Sequence, residues 1–261
     1  MKYNFKVMSL IIALFFIAQL IGLFVINNYL SKDLPYNIER PQFEEATSYI
    51  PITLMILVAT GIAILLIKFK ANNLWKIWFF IGITIALLIA FSTFIPEIYA
   101  LILALVLAFI KIFKPNYIIH NLSEIFMYGG LAAIFVPILS LQSIIILLFI
   151  ISIYDIIAVW KTKHMIKLAK YQSKMKIFAG LLIPYSKDKM AILGGGDIGF
   201  PLFFAGTIMK TYSIFNALIV IVFTTIALSL LLYYAQKNKF YPAMPFLTTG
   251  CIIGFLISLI I

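Results

Sequence analysis

Nine apolar runs of roughly bilayer-crossing length follow one another along this chain. They lie near 7–27, 49–67, 75–94, 98–113, 124–139, 142–160, 190–209, 213–235 and 243–261. A hydrocarbon core about 30 Å thick takes about 20 apolar residues of helix, and about 17 at the short limit. A hydrophobic content of 64% and a mean hydropathy of +1.12 are more than a soluble fold of 261 residues needs. The bilayer is therefore the solvent, and the expected fold is all-α, polytopic, with nine transmembrane helices. Residues 1–261 form one expected membrane domain. Helices one to six span about 7–160, a lysine-rich loop covers 161–189, and helices seven to nine span about 190–261.

Basic residues orient the bundle. With the N-terminus cytosolic, 17 of the 20 lysines and arginines fall on inner segments, and only Lys32, Arg40 and Lys210 fall outside. That asymmetry is a strong positive-inside signal. The net charge of +11 then reflects lysines at an anionic leaflet rather than affinity for nucleic acid. The first run follows Lys2 and Lys6 as in a signal peptide. It has the length of a full span and no small-residue cleavage site after it, so an uncleaved helix is expected. Trp75, Trp78 and Trp160 fall at predicted inner boundaries, where interfacial anchors belong. The segment with Lys161, Lys163, Lys167, Lys170, Lys174 and Lys176 reads as an amphipathic connector on anionic lipid. Cys251, the single cysteine, excludes an internal disulfide.

Two of the nine acidic residues, Asp155 and Asp197, sit inside predicted spans. The other seven, Glu124 among them, fall in predicted loops or at segment ends. A carboxylate in hydrocarbon is costly, so two such residues in consecutive spans mark a functional site. Asp155 lies about 9 Å from the inner end of the sixth helix, and Asp197 about 12 Å into the seventh. Antiparallel neighbours bring both to a similar depth. Gly194, Gly195 and Gly196 precede Asp197, and Gly199 and Pro201 follow it. The glycines permit close backbone approach, and Pro201 deprives the Asp197 carbonyl of its helical partner. A loosened, hydrated pocket is expected there. The Gly195–Gly199 spacing suits either internal packing or a dimer contact. Pro242-Ala243-Met244-Pro245 opens the ninth helix at the same inner face. His120 and His164 are the only histidines, and no His-Glu-x-x-His run is present, so no metal and no cofactor are expected.

Together these residues resemble the presenilin and signal peptide peptidase family of intramembrane aspartyl proteases. Tyr154-Asp155 matches the Tyr-Asp of that family's sixth helix. Gly194-Gly195-Gly196-Asp197 matches the Gly-x-Gly-Asp of the seventh, with Gly194 and Gly196 in the fixed positions. Pro242-Ala243-Met244 matches the Pro-Ala-Leu of the ninth with leucine replaced by methionine, a volume-conserving swap. The N-terminus-inside orientation is similar to the presenilin branch, and the short loops to an archaeal member. The resemblance implies an aspartic endopeptidase that cleaves transmembrane segments. Asp155 and Asp197 would be catalytic, supported by Tyr154, Gly194, Gly196, Pro242, Ala243 and Met244. Its expected partners are a substrate transmembrane helix and the lipid bilayer, without an obligatory accessory subunit and with self-association allowed. The rival reading is an ion- or proton-coupled transporter that uses the buried aspartates. A prepilin-peptidase-like enzyme also uses Gly-x-Gly-Asp but is expected to have fewer spans.

Overall fold

The computed structural model describes residues 4–69, 71–162, 178–186, 189–236 and 239–260. Among the described residues there are nine α-helices: α1 (Phe5–Tyr29), α2 (Tyr49–Lys68), α3 (Asn72–Phe91), α4 (Glu97–Phe113), α5 (Tyr117–Phe135), α6 (Leu141–Ile156), α7 (Gly195–Thr211), α8 (Ile214–Tyr234) and α9 (Met244–Ser258). Six are long and apolar enough to cross a membrane: α1, α2, α3, α5, α6 with its C-terminal extension, and α8. The shorter α4, α7 and α9 run for 17, 17 and 15 residues.

Helices in lipid gain little from hydrophobic burial against one another, so close packing over small residues holds them together. α4 shows this most simply. Ala100, Ala104 and Ala108 recur one turn apart and are all fully buried, on a helix that packs against α3. α1 packs against α5, α7 and α8. Its Gln19 reaches α7, where the side-chain amide donates to the Ile198 carbonyl at 2.9 Å. Large apolar side chains such as Leu54, Ile81, Phe109 and Leu230 remain on the outside, as a lipid-facing surface requires.

Three expectations change here. The fifth helix begins at Tyr117, seven residues before the predicted 124, because Asn116 caps it: its side chain accepts from the backbone N–H groups of Ile118 and Ile119. Glu124 is consequently no segment-end residue but a fully buried one inside α5. Trp75 is no interfacial anchor either. It is 2% exposed and stacks on Phe79, whereas Trp78 and Trp160 are exposed as expected.

The largest departure precedes α7. Residues predicted as the end of the loop and the start of the seventh span form an antiparallel hairpin, β1 (Gly180–Ser186) with β2 (Lys189–Gly194). Short apolar runs such as Leu181–Ile183 and Ala191–Leu193 do not declare strand or helix by periodicity alone. Gly180 supplies the decisive local reason. Its φ is +134°, and a Cβ there would lie 2.1 Å from the Leu193 carbonyl oxygen. The lysine-rich stretch from Lys163 to Lys176 lies outside the described residues.

Candidate active site

Asp155 occupies the last turn of α6, directly before a π-helical turn over Ile157–Lys161 in which Thr162 N–H reaches back to the Ile157 carbonyl at 2.9 Å. Its carboxylate accepts from the Met244 N–H, with Oδ2 at 3.1 Å, and from the Ala243 N–H. These belong to the first turn of α9, whose N–H groups have no intrahelical acceptor. Pro245 at the next position has no N–H to satisfy. Pro242-Ala243-Met244-Pro245 is thus a helix N-terminus aimed at an acid, the arrangement that stabilises a negative charge. One turn away on both helices, the Ser152 and Thr248 hydroxyls meet at 2.8 Å and tie α6 to α9.

Asp197 lies in the first turn of α7, three residues in rather than about eight, because β2 has taken the residues before Gly195. Its carboxylate accepts from the N–H of Gly194, the residue that caps the helix. This is the acidic half of a capping box. α7 then continues as helix through Pro201. Asp155 and Asp197 are both half-buried, they lie within electrostatic reach of each other, and their helices pack together.

The glycines have unequal duties. A Cβ at Gly194 would stand 3.1 Å from the Asp197 Oδ2. A Cβ at Gly195 would stand 2.5 Å from the Tyr128 hydroxyl and 3.2 Å from the Ala179 carbonyl, which already accepts from the Gly195 N–H at 3.0 Å. Gly196 is exposed, and nothing would come nearer its Cβ than Phe200 at 3.4 Å. Close packing therefore demands glycine at 195, while at 194 a side chain would press on the Asp197 carboxylate itself. The Gly195–Gly199 face receives the Tyr128 ring from α5, so within the chain that spacing serves internal packing.

Of the expected site residues, Tyr154, Asp155, Ala243 and Met244 gather on one side, and Gly194, Gly196 and Asp197 on the other. Tyr154 is half-buried, and Pro242 and Met244 are buried. The sequence reading missed a polar cluster behind Asp197. Lys111 of α4 forms a buried ion pair with Glu124. The other Glu124 oxygen accepts from the Tyr128 hydroxyl, and from the Gly180 N–H at 2.8 Å. His120 Nε2 donates to the Gly180 carbonyl at 2.8 Å. Asn121 brackets Leu182, accepting from its N–H at 2.9 Å and donating to its carbonyl at 2.8 Å. His120, Glu124 and Tyr128 recur one turn apart on α5, with Asn121 beside His120, a helical pattern of polar residues that could have flagged them. Among the described residues no group of histidine, cysteine or carboxylate side chains is arranged to hold a metal.

The sequence model described as signal-peptide peptidase, presenilin aspartyl protease matches residues 12–261. Curated proteins gave no match. Among solved structures, a presenilin family intramembrane aspartate protease crystallised in space group C222 superposes with a TM-score of 0.72. The identity is 18%, over 97% of this chain and 98% of that one. A presenilin family intramembrane aspartate protease in space group P2 gives 0.69 at 20% identity, over 96% of each chain. These two likenesses carry the fold, and the transporter reading finds no support among the matches. The family match spans nearly the whole sequence, so the chain belongs to the signal-peptide peptidase and presenilin aspartyl protease family, as a multi-pass integral membrane protein and an intramembrane aspartyl endopeptidase.

Proposed function

We propose that Asp155 and Asp197 are the catalytic pair and share one water. One carboxylate, ionised, takes a proton from that water as its oxygen attacks the scissile carbonyl. The other, protonated, donates to the carbonyl oxygen, and the leaving amide nitrogen is protonated as the C–N bond breaks. Like charges at short range disfavour double ionisation, so the pair holds a proton jointly and neither residue is base or acid by itself. The carrying observation is that two carboxylates from separate helices are half-buried and within electrostatic reach, each supplied with backbone N–H donors.

A substrate helix keeps its amides in its own hydrogen bonds and must unwind before attack. The extended form can be held by strand addition. The hairpin favours one edge for this. Outward-facing peptide groups of β1, at Gly180 and Leu182, are already engaged by His120, Glu124 and Asn121. The outer edge of β2 is left, and it runs to Gly194, three residues before Asp197. Exposed Gly196 leaves backbone open to a guest strand. Ala243 and Met244 hold Asp155 through their N–H groups, and Tyr154 flanks it.

On this reading residues 1–261 act as one nine-span protease domain with a cytosolic N-terminus. α4, at 17 residues, is near the lower length for a crossing, and α7 and α9 are completed by the hairpin and flanking chain. The 17-to-3 division of basic residues supports the orientation. The substrate is a transmembrane segment of another membrane protein, and the enzyme works without accessory subunits. Purified protein in detergent, incubated with a transmembrane peptide, tests this. Cleavage by the wild type, and its loss in both Asp155→Asn and Asp197→Asn, is the expected result. Cleavage that survives either substitution refutes the paired mechanism.

A further inference from the structure

We infer that Tyr128 is a positioning residue for Asp197, setting the place of the first turn of α7 against α5 and the hairpin. This rests on the two-aspartate reading above. Tyr128 is 4% exposed, so it does not meet substrate. Its hydroxyl takes the space a side chain at Gly195 would need, 2.5 Å from the hypothetical Cβ, and its ring lies in ordinary contact with Gly199, 3.6 Å from the Cβ position there. α7 therefore rests its first turn on this ring. Asp197 lies between those two glycines in the chain and is within electrostatic reach of the Tyr128 hydroxyl.

A ring can set a position only if it is itself fixed. The Tyr128 hydroxyl donates to Glu124, one turn back on α5. The same Glu124 oxygen accepts from the Gly180 N–H, and its other oxygen is paired with Lys111. Tyr128 and the start of β1 are thereby referred to one carboxylate, which α4 holds from behind. The Ala179 carbonyl then accepts from the Gly195 N–H, which closes the circuit from hairpin to α7. Removing the hydroxyl breaks the circuit and takes away the atom that stands against Gly195, while the ring itself remains. Asp155, held by α9, is untouched by the change. The consequence is misalignment of one carboxylate relative to the other, felt in the chemical step rather than in substrate affinity.

The test is Tyr128→Phe, assayed on a transmembrane peptide with kcat and KM separated and thermal stability measured in the same detergent. The expected result is a kcat lower by about 10-fold or more, since small displacements of reacting groups are amplified in rate. KM stays near wild type, the melting temperature falls only by the loss of one buried hydrogen bond to a carboxylate, and binding of an aspartyl-protease transition-state mimic weakens in parallel with kcat. Gly195→Ala, which pushes the same contact from the other side, should give the same division between kcat and KM. Wild-type kcat in Tyr128→Phe overturns the inference, and so does a fall that merely follows loss of folded protein. Asp155→Asn and Asp197→Asn run alongside. Activity in those would sink the two-aspartate reading, an outcome separate from any result at Tyr128.

Discussion

The two aspartates are held by opposite means. Asp155 ends one helix and is grasped by the beginning of another, so its surroundings are interhelical: the Ala243 and Met244 N–H groups, and the Ser152–Thr248 contact one turn away. Asp197 begins its own helix and is held by its own cap, the Gly194 N–H, while glycine-to-tyrosine packing places the helix. One side is fixed by hydrogen bonds between helices, the other by the absence of side chains. The first arrangement tolerates apolar variation, as methionine at position 244 illustrates, because a backbone N–H does the holding. The second tolerates no added volume at Gly195.

This contrast can be broken by experiment. The largest effect should come from Asp155→Asn or Asp197→Asn, each lowering cleavage by more than about 10³-fold, since residues that act as a unit fail together. Unequal losses, with one variant retaining substantial cleavage, would show that the carboxylates are not a pair. Next comes the buried ion pair behind Asp197. Lys111→Met or Glu124→Gln alone should destabilise the fold by about 3–5 kcal/mol, because the remaining partner is left uncompensated. The double variant should recover most of that loss in a thermal or denaturant assay. Equal, additive losses would deny that Lys111 and Glu124 act together.

Gly194→Ala places a methyl 3.1 Å from the Asp197 Oδ2, whereas Gly196→Ala meets nothing closer than 3.4 Å. The first should lower kcat by about 10-fold through displaced geometry. The second should leave kcat nearly intact and act on KM if a guest strand passes there. A reversal of that order would mean that the strand path, not the carboxylate, dictates the glycines. The smallest effect belongs to the Asp155 side. Ser152→Ala or Thr248→Val removes one interhelical hydrogen bond, worth about 0.6–2 kcal/mol in a bilayer. A modest fall in melting temperature with cleavage largely kept is the expected reading. Loss of activity as complete as at Asp155 would show that the tie, rather than α9's N–H groups, sets that carboxylate.

Much of this was legible in the residues. Apolar runs announce helices, because in lipid an unpaired backbone has no alternative partner. α1, α2 and α8 accordingly lie within about two residues of their expected bounds. Asp155 and Asp197 stand out because acids in hydrocarbon are rare and costly. Glu124 and Lys111 escaped notice for a related reason. Each sits near the edge of a run, where an ionisable group costs little, and only the extra turns of α5 from Asn116 carry Glu124 into the interior.

The sequence by itself determined a membrane-embedded helical bundle and singled out the two acids within its apolar runs. These follow from the expense of polar groups in hydrocarbon, a property that each residue carries wherever it lies. Tertiary structure decided that Gly180–Ser186 and Lys189–Gly194 are strands, that Asp197 stands in the first turn of a helix, and that Gly195 rather than Gly196 is the crowded position. Those outcomes depend on α5 offering Glu124, His120 and Asn121 to a strand edge, and Tyr128 to a glycine face. Such pairings join residues far apart in the chain, and no local pattern encodes which of them will meet.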